Sequence, residues 1–205
     1  MDGAETVLAK DVQSNDLCLN AKGEIWFTDP YNKRVWFLDT KGNKRVVHQG
    51  VELPFAVHLG TNEGTQLPNG VLLSTDQTLL MVNDTRGKWV WSFSVSEDGS
   101  LTNGQAFYRL ETSDENGTSL ADGMTIDTEG HLYVASRIGL QVCDQPGRVV
   151  AILNKPQAGI LSNVVFGGPD LSTLYVTAGD RVYKREIKRK GVYSWAPVKP
   201  PMPRL

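Results

Sequence analysis

The clearest signal along the chain is an alternation of apolar and polar positions with a period of two. Over residues 89–96 every second residue is a large apolar one, and most of the residues between them are serines. This period is typical of a half-buried β-strand. Turn residues follow at 97–100, and a further apolar segment begins at Leu101. No long stretch has helical periodicity, so the pattern predicts an all-β fold of short hairpins.

Four segments of the chain share one order: a polar residue, a strand, a turn and a second apolar strand. The polar residues that open these segments recur about every 40 to 55 positions, which is the repeat length of propeller blades. These four opening residues are Asn15, Asn69, Asp122 and Asn163. The repeat therefore predicts a β-propeller with four blades of up to four strands each.

The opening residues carry the first candidate chemistry. Because the first strand of a blade lies innermost, residues that precede it should gather at one mouth of the central channel. Amide and carboxylate oxygens suit Ca²⁺ or Mg²⁺ better than Zn²⁺. The same residue types are also common in turns that precede strands, because their side chains bond their own backbone. The repeat alone leaves the metal role and the turn role open.

The four repeated segments resemble the family of gluconolactonase, senescence marker protein 30 and luciferin-regenerating enzyme, and the resemblance runs over residues 15–191. It implies a six-bladed propeller that holds one divalent metal on its axis and hydrolyses lactones, sugar lactones in particular. The segments that carry it are SNDLCLNAKGEIWFTDP, LPNGVLLSTDQTLLMVND, ADGMTIDTEGHLYVAS and SNVVFGGPDLSTLYVTAG.

The resemblance also implies roles for single residues. The family's metal is held by a Glu in the first blade, an Asn in a PNG-type motif and an Asp in a DG-type motif. The last two fall on Asn69 and Asp122, and Asp122 is also the candidate to deprotonate the attacking water. Asn15 falls on the Asn that faces both the metal and the substrate hydroxyls. Ca²⁺ is the favoured metal, with Mg²⁺ or Zn²⁺ as alternatives.

The chain departs from the family in its length, because only about four of the six blade patterns are present. The blade that should carry the Glu ligand would precede residue 1, and residues 3–8 resemble the last strand of a preceding blade. A fragment of a longer protein and a gene truncated at its start both explain this pattern. We predict a single propeller domain over residues 1–196 and an extended, loosely held proline-rich tail over 197–205.

The charge and hydropathy of the chain argue against two classes of partner, nucleic acids and membranes. The chain carries 21 Lys and Arg against 23 Asp and Glu, a net charge of −2, which argues against a nucleic-acid partner. No apolar run is long enough to span a bilayer, so no membrane partner is expected. The first residues lack the features of a secretory signal, which favours the cytoplasm. Cys18 and Cys143 are too few for a disulfide framework.

The favoured function is hydrolysis of a lactone by a metal-dependent enzyme. One alternative is a non-catalytic propeller fragment that binds partner strands, or forms oligomers, through open blade edges. Another is an aryl-ester hydrolase on the same fold. Asp29 is interpreted as a turn residue and His131 as a surface residue, whereas His58 is a candidate within a possible lid over 53–68.

Overall fold

The computed structural model describes residues 3–51, 64–113 and 117–203. Over these residues the chain forms fifteen β-strands and no helix. It follows that no helix in the described part of the chain could cross a lipid bilayer. The strands form four antiparallel sheets, which we call blades 1 to 4 in chain order.

The blades take up the strands in sequence. Blade 1 contains β1 (Leu17–Leu19), β2 (Ile25–Asp29), β3 (Arg34–Leu38) and β4 (Lys44–Gln49). Blade 2 contains β5 (Pro68–Leu73), β6 (Leu79–Asp84), β7 (Trp89–Val95) and β8 (Leu101–Arg109). Blade 3 contains β9 (Met124–Ile126), β10 (Leu132–Ser136), β11 (Gly139–Cys143) and β12 (Val149–Leu153), and blade 4 contains β13 (Leu161–Gly167), β14 (Thr173–Ala178) and β15 (Arg181–Glu186).

The first strand of each blade lies on the inside of the array. Strands β1 and β2 contact β5, β5 contacts β9, and β9 and β10 contact β13. Within each blade the strands pair in simple succession, from the inner strand outward. This arrangement confirms the predicted all-β propeller with four blades.

Hydrophobic cores fill the spaces between successive blades. Alternate residues of β6 point to different cores: Leu80 and Val82 pack with Trp26 of blade 1, whereas Met81 packs with Val134 of blade 3. A third core joins blades 3 and 4. A strand between two neighbours is therefore buried on both faces, and this explains why Ser92 is buried although the alternation predicted a polar, exposed face.

The predicted strand at residues 3–8 is not formed. Residues 3–16 belong to no strand, and the side chains of Val7 and Leu8 are 70% and 61% exposed. A β-strand exists only as part of a hydrogen-bonded ladder, so a sequence that favours the extended conformation is not sufficient.

The C-terminal segment contacts the propeller at the end opposite to the opening residues. Gly191 pairs with Asp127 of blade 3, and the Val198 amide donates to the Thr75 carbonyl of blade 2 at 2.8 Å. Both partners lie in the turns between the first and second strands, at the end opposite to the opening residues. Val192 and Tyr193 also border a cavity of about 60 Å³ beside the inner strands.

Candidate functional site

The opening residues of blades 2 and 4 lie at β-bulges. The pairing of β5 with β6 passes from Pro68 opposite Asp84 to Val71 opposite Val82, which leaves Asn69 and Gly70 out of register. A similar irregularity in β13 precedes Asn163. Bulges re-aim side chains, and they place these two residues inside their strands rather than before them.

Asn69 is held from two sides by threonine hydroxyls. Its side-chain Nδ2 donates to Thr85 Oγ1 at 2.9 Å, and its backbone carbonyl accepts from Thr28 Oγ1 at 2.6 Å. Its side-chain Oδ1 is buried and accepts no hydrogen bond from any described residue. A buried acceptor without a donor costs roughly 1–3 kcal/mol, so this oxygen indicates a missing partner.

Asp122 lies next to Asn69 at the start of β9. Burial raises the pKa of its carboxyl, and the nearby charge of Asp16 raises that pKa further. A hydrogen bond with the Asn69 side chain lowers the pKa again in part. The backbone of Asp122 is fixed as well, since its carbonyl accepts from Asn83 Nδ2 and its amide donates to the Ala135 carbonyl. The structure thus brings Asn69 and Asp122 together.

Asp16 is a member of this site that the sequence reasoning missed. Its carboxylate accepts from the amides of Leu17 and Val71, each at 2.9 Å, and so joins blade 1 to the inner strand of blade 2. Burial raises its pKa above the ordinary value. Asn163 of blade 4 likewise accepts from the next amide, that of Val164. By this shared contact Asp16, rather than Asn15, is the blade 1 counterpart of Asn163.

Asn15 lies at the same end of blade 1 but in a different environment. Its side chain is exposed, and its amide donates to the Thr28 carbonyl at 2.9 Å. It borders an open groove together with Gln13, Pro30 and Tyr31. No hydrogen bond between described residues joins its side chain to Asn69 or Asp122, so its metal and substrate roles stay predictions.

Polar side chains at the ends of the second strands position this site. Thr28 is the next-to-last residue of β2, and its hydroxyl donates to the backbone carbonyl of Asn69. Asn83 lies in β6, and its Oδ1 accepts from the Gly70 amide at 3.2 Å. Thr85, just beyond β6, donates to the Ala121 carbonyl at 2.7 Å. In the sequence, these residues are marked only by a polar side chain near the end of an apolar second strand. Such positions are too common for the sequence alone to identify them as part of a site.

The other candidates fall outside this cluster. Asp29 is the last residue of β2, and its carboxylate oxygens each accept from Asn32 Nδ2 at 2.9 Å, so its side chain holds the turn that follows. His131 is partly buried at the opposite end of blade 3, where its Nδ1 lies 3.2 Å from Asp127 Oδ1. His58 lies outside the described residues, and so does most of the lid predicted over 53–68.

The site fits a hard divalent cation in its donor chemistry. It offers the carboxylates of Asp16 and Asp122 and the unpartnered oxygen of Asn69, and no thiolate or imidazole. Oxygen donors of this kind suit Ca²⁺ or Mg²⁺. Within the described ranges, however, no three His, Cys, Asp or Glu side chains are grouped closely enough to hold a metal by themselves. Any bound ion would therefore depend on the Asn69 amide and on water.

The comparison with known proteins places the chain in a family. A family model described as the SMP-30/Gluconolactonase/LRE-like region matches residues 4–180. The chain belongs to this family. The match contains all four blades up to the turn that precedes β15.

Individual relatives agree with this assignment. The chain is 30% identical to a gluconolactonase of Zymomonas mobilis over 86% of its own length and 51% of the relative. It is 29% identical to a pentonolactonase of Haloferax volcanii, over 86% of this chain and 58% of that one. A regucalcin structure from Agrobacterium tumefaciens superposes with a TM-score of 0.69 at 20% identity, over 90% and 64% of the two chains. The chain thus spans about half the length of the curated relatives it matches.

Proposed function

We propose that this chain contributes the metal-binding mouth of a propeller that hydrolyses a sugar lactone. The observation that carries the proposal is the buried, unpartnered Oδ1 of Asn69 beside the carboxylates of Asp122 and Asp16. The gluconolactonase and pentonolactonase relatives support lactones as the substrate class. The regucalcin neighbour is described as a calcium-binding protein, and this supports Ca²⁺ as the ion.

The residues of the chain divide the work of an ester hydrolysis. Asp122 accepts the proton of the water that attacks the lactone carbonyl carbon, and its raised pKa makes it a stronger base than an ordinary carboxylate. Asn15 and Tyr31, which border the open groove of blade 1, are assigned the binding of substrate hydroxyls. A divalent cation, when bound, would polarise the carbonyl and stabilise the oxyanion. The ring C–O bond then breaks, and the proton ends on the released hydroxyl group.

A second candidate function rests on blade 4. This blade has three strands where the others have four, and the outer edge of β15 pairs with no described strand. Its exposed side chains include Arg181, Lys184 and Arg185. An open edge can pair with a strand of another chain, and the like charges of these side chains would disfavour pairing with a second copy of β15. Light scattering after size exclusion tests this candidate, and a concentration-independent monomer would count against it.

The test of the lactonase proposal combines binding with turnover. Calcium binding is measured by calorimetry, and hydrolysis of glucono-1,5-lactone is followed with and without chelator. The assays use this chain and, where the gene continues in frame upstream of Met1, the extended version. Asp122→Asn should abolish metal-dependent turnover, whereas the exposed-turn variant Asp170→Asn should retain it. Equal rates with and without chelator would exclude the metal role, and cleavage of aryl esters alone would favour the aryl-ester hydrolase.

A further inference from the structure

The Asn69 amide could lie in either of two orientations, and only one of them serves a cation. The oxygen and nitrogen of an asparagine side chain are distinguished by the hydrogen bonds around them. A cation needs the oxygen, so whatever fixes the amide also decides whether Asn69 can be a ligand. The residue that makes this choice can be found from the direction of each neighbouring hydrogen bond.

Thr85 makes the choice because its single hydroxyl proton is already used. Its Oγ1 donates to the Ala121 carbonyl at 2.7 Å, and a threonine hydroxyl has only one proton to donate. Towards Asn69, at 2.9 Å, the same oxygen can therefore only accept. The atom of Asn69 that faces Thr85 must be the Nδ2 donor, which leaves Oδ1 on the other side of the amide.

The reverse orientation of the amide would be unfavourable. A flipped amide would place Oδ1 against Thr85 Oγ1, whose proton is already donated to the Ala121 carbonyl. Two acceptors would then face each other without a hydrogen bond between them. The orientation that turns Nδ2 toward Thr85 is therefore preferred.

Thr85 also sets the spacing of the two proposed ligands. Its hydroxyl bridges from the Asn69 side chain to Ala121, the residue directly before Asp122. Its own amide donates to the Leu67 carbonyl at 3.2 Å, two residues before Asn69. One side chain thus connects the bulge of β5 to the residues that precede β9.

We propose that Thr85 is a positioning residue that presents Asn69 Oδ1 to a divalent cation. The inference rests on the proposed function, since it deepens the role of the same site. The identity of the ligands is then not sufficient for binding. The hydroxyl at position 85 must also donate to the Ala121 carbonyl and accept from Asn69 Nδ2 at the same time.

The first test is metal affinity in the full chain. Thr85→Val keeps the shape of the side chain and removes the hydroxyl, whereas Thr85→Ser keeps the hydroxyl. We expect the valine variant to bind Ca²⁺ about 10- to 100-fold more weakly in calorimetry, as is usual for residues that orient a ligand. The serine variant should bind within about twofold of the wild type, because the same two hydrogen bonds can form. Equal affinity of wild type and valine variant would overturn the inference.

The second test does not depend on metal. In metal-free protein, NMR should show NOEs between the Asn69 side-chain amide protons and the side chain at position 85 in the wild type and the serine variant. In the valine variant the amide should lose this fixed orientation, and its proton shifts should move toward solvent-exposed values. An unchanged amide would overturn the role of Thr85. If the wild type binds no divalent cation, the proposed function fails, while the NMR result still decides what orients Asn69. Should the valine variant not fold, Thr85→Ala replaces it.

Discussion

At the level of single residues, the candidate site is assembled from groups that are costly to bury. Asp16 and Asp122 are both partly withdrawn from water, which raises the pKa of each carboxyl, and the charge of Asp16 raises the pKa of Asp122 further. Asn69 adds a buried oxygen that has no donor among the described residues. Residues chosen only for stability would avoid this arrangement, and this is the physical reason for proposing that the cluster binds a ligand.

The first prediction concerns the stability of Asp122→Asn without metal. The pKa of Asp122 is higher in the folded protein than in the unfolded chain. Ionisation of this carboxyl therefore favours the unfolded state once the pH rises above the ordinary pKa of an aspartate. In chelator at pH 7 the variant should therefore be more stable than the wild type in urea unfolding. The difference should shrink as the pH falls toward about 4, the ordinary range of an aspartate pKa.

The control for this prediction is a carboxylate with the opposite shift. Hydrogen bonds from Ser172 lower the pKa of Asp170, which lies in an exposed turn. Asp170→Asn should therefore leave stability unchanged or reduce it at pH 7. If both variants shift stability in the same direction, burial of Asp122 is not the cause.

The sequence identified two of the three clustered residues. Asn69 and Asp122 stand in motifs whose spacing is set by the blade repeat, and the structure brings them together. Asp16 was missed because it is the neighbour of Asn15, and both carry side-chain oxygen. Successive side chains of an extended chain point in opposite directions, so a shift of one residue decides which of the two faces the next blade. The pattern of residues could not supply that register.

At the level of elements, the inner strands approach one another so closely that side chains are excluded at particular positions. A Cβ on Gly123 would overlap the side chain of Asn163 and lie 2.9 Å from its Cα. The Gly123 amide also donates to the Ser162 carbonyl at 2.9 Å. Glycine at this position therefore lets the segment before β9 bond directly to β13.

The second prediction follows from this contact. Gly123→Ala should destabilise the fold by roughly 1–3 kcal/mol, the usual cost of an added methyl group in a tightly packed position. Asn163→Ala removes the side-chain atoms that the new methyl group meets. The double variant should therefore lose less stability than the sum of the two single variants, by about 0.5 kcal/mol or more. Strict additivity in urea unfolding would show that Asn163 is not the obstacle.

The elements themselves were largely predictable, whereas their irregularities were not. The alternation in β7 and the repeated turns predicted strands and blades, and the structure has both. The bulges at Asn69 and Asn163 were not foreseen, because a bulge depends on the pairing partner as well as on the strand. The same limitation explains residues 3–8, where an extended sequence forms no strand.

At the level of the whole molecule, the described residues form an arc of four blades joined by three hydrophobic cores. Those cores and the blade repeat follow from the sequence pattern. The candidate site lies at the end of the inner strands where β1, β5 and β9 begin. Each blade contributes only one or two side chains to this site, so the number of ligands depends on the number of blades.

The third prediction concerns the affinity of this chain for calcium. Among the described residues, the candidate site offers the carboxylates of Asp16 and Asp122 and the amide oxygen of Asn69. Water would have to complete the coordination of Ca²⁺. Calorimetry should give a dissociation constant of about 10⁻⁴–10⁻³ M, the range of weak sites. Binding should tighten in the version extended upstream of Met1 if a further carboxylate is supplied there. Submicromolar binding by the chain alone would mean that other ligands contribute.

The fourth prediction concerns the C-terminal segment, which connects three blades at the end opposite to the site. Gly191 bonds to the Leu171 carbonyl of blade 4, and Val198 bonds to Thr75 of blade 2. Val192 and Tyr193 lie near Cys18 and Ile126 of the inner strands. Deletion of residues 191–205 should therefore destabilise the chain by roughly 1–3 kcal/mol, through lost burial and hydrogen bonds.

A shorter deletion separates this effect from loss of the tail in general. Removing only residues 199–205 keeps Val198 and its bond to Thr75, and it should leave most of the stability intact. Hydrogen exchange locates the change: the longer deletion should accelerate exchange in β5 and β9, whose ends the segment covers, more than in β7 or β11. Uniform acceleration across all strands would indicate a global loss of stability, and no acceleration would mean that the segment rests on the propeller without supporting it.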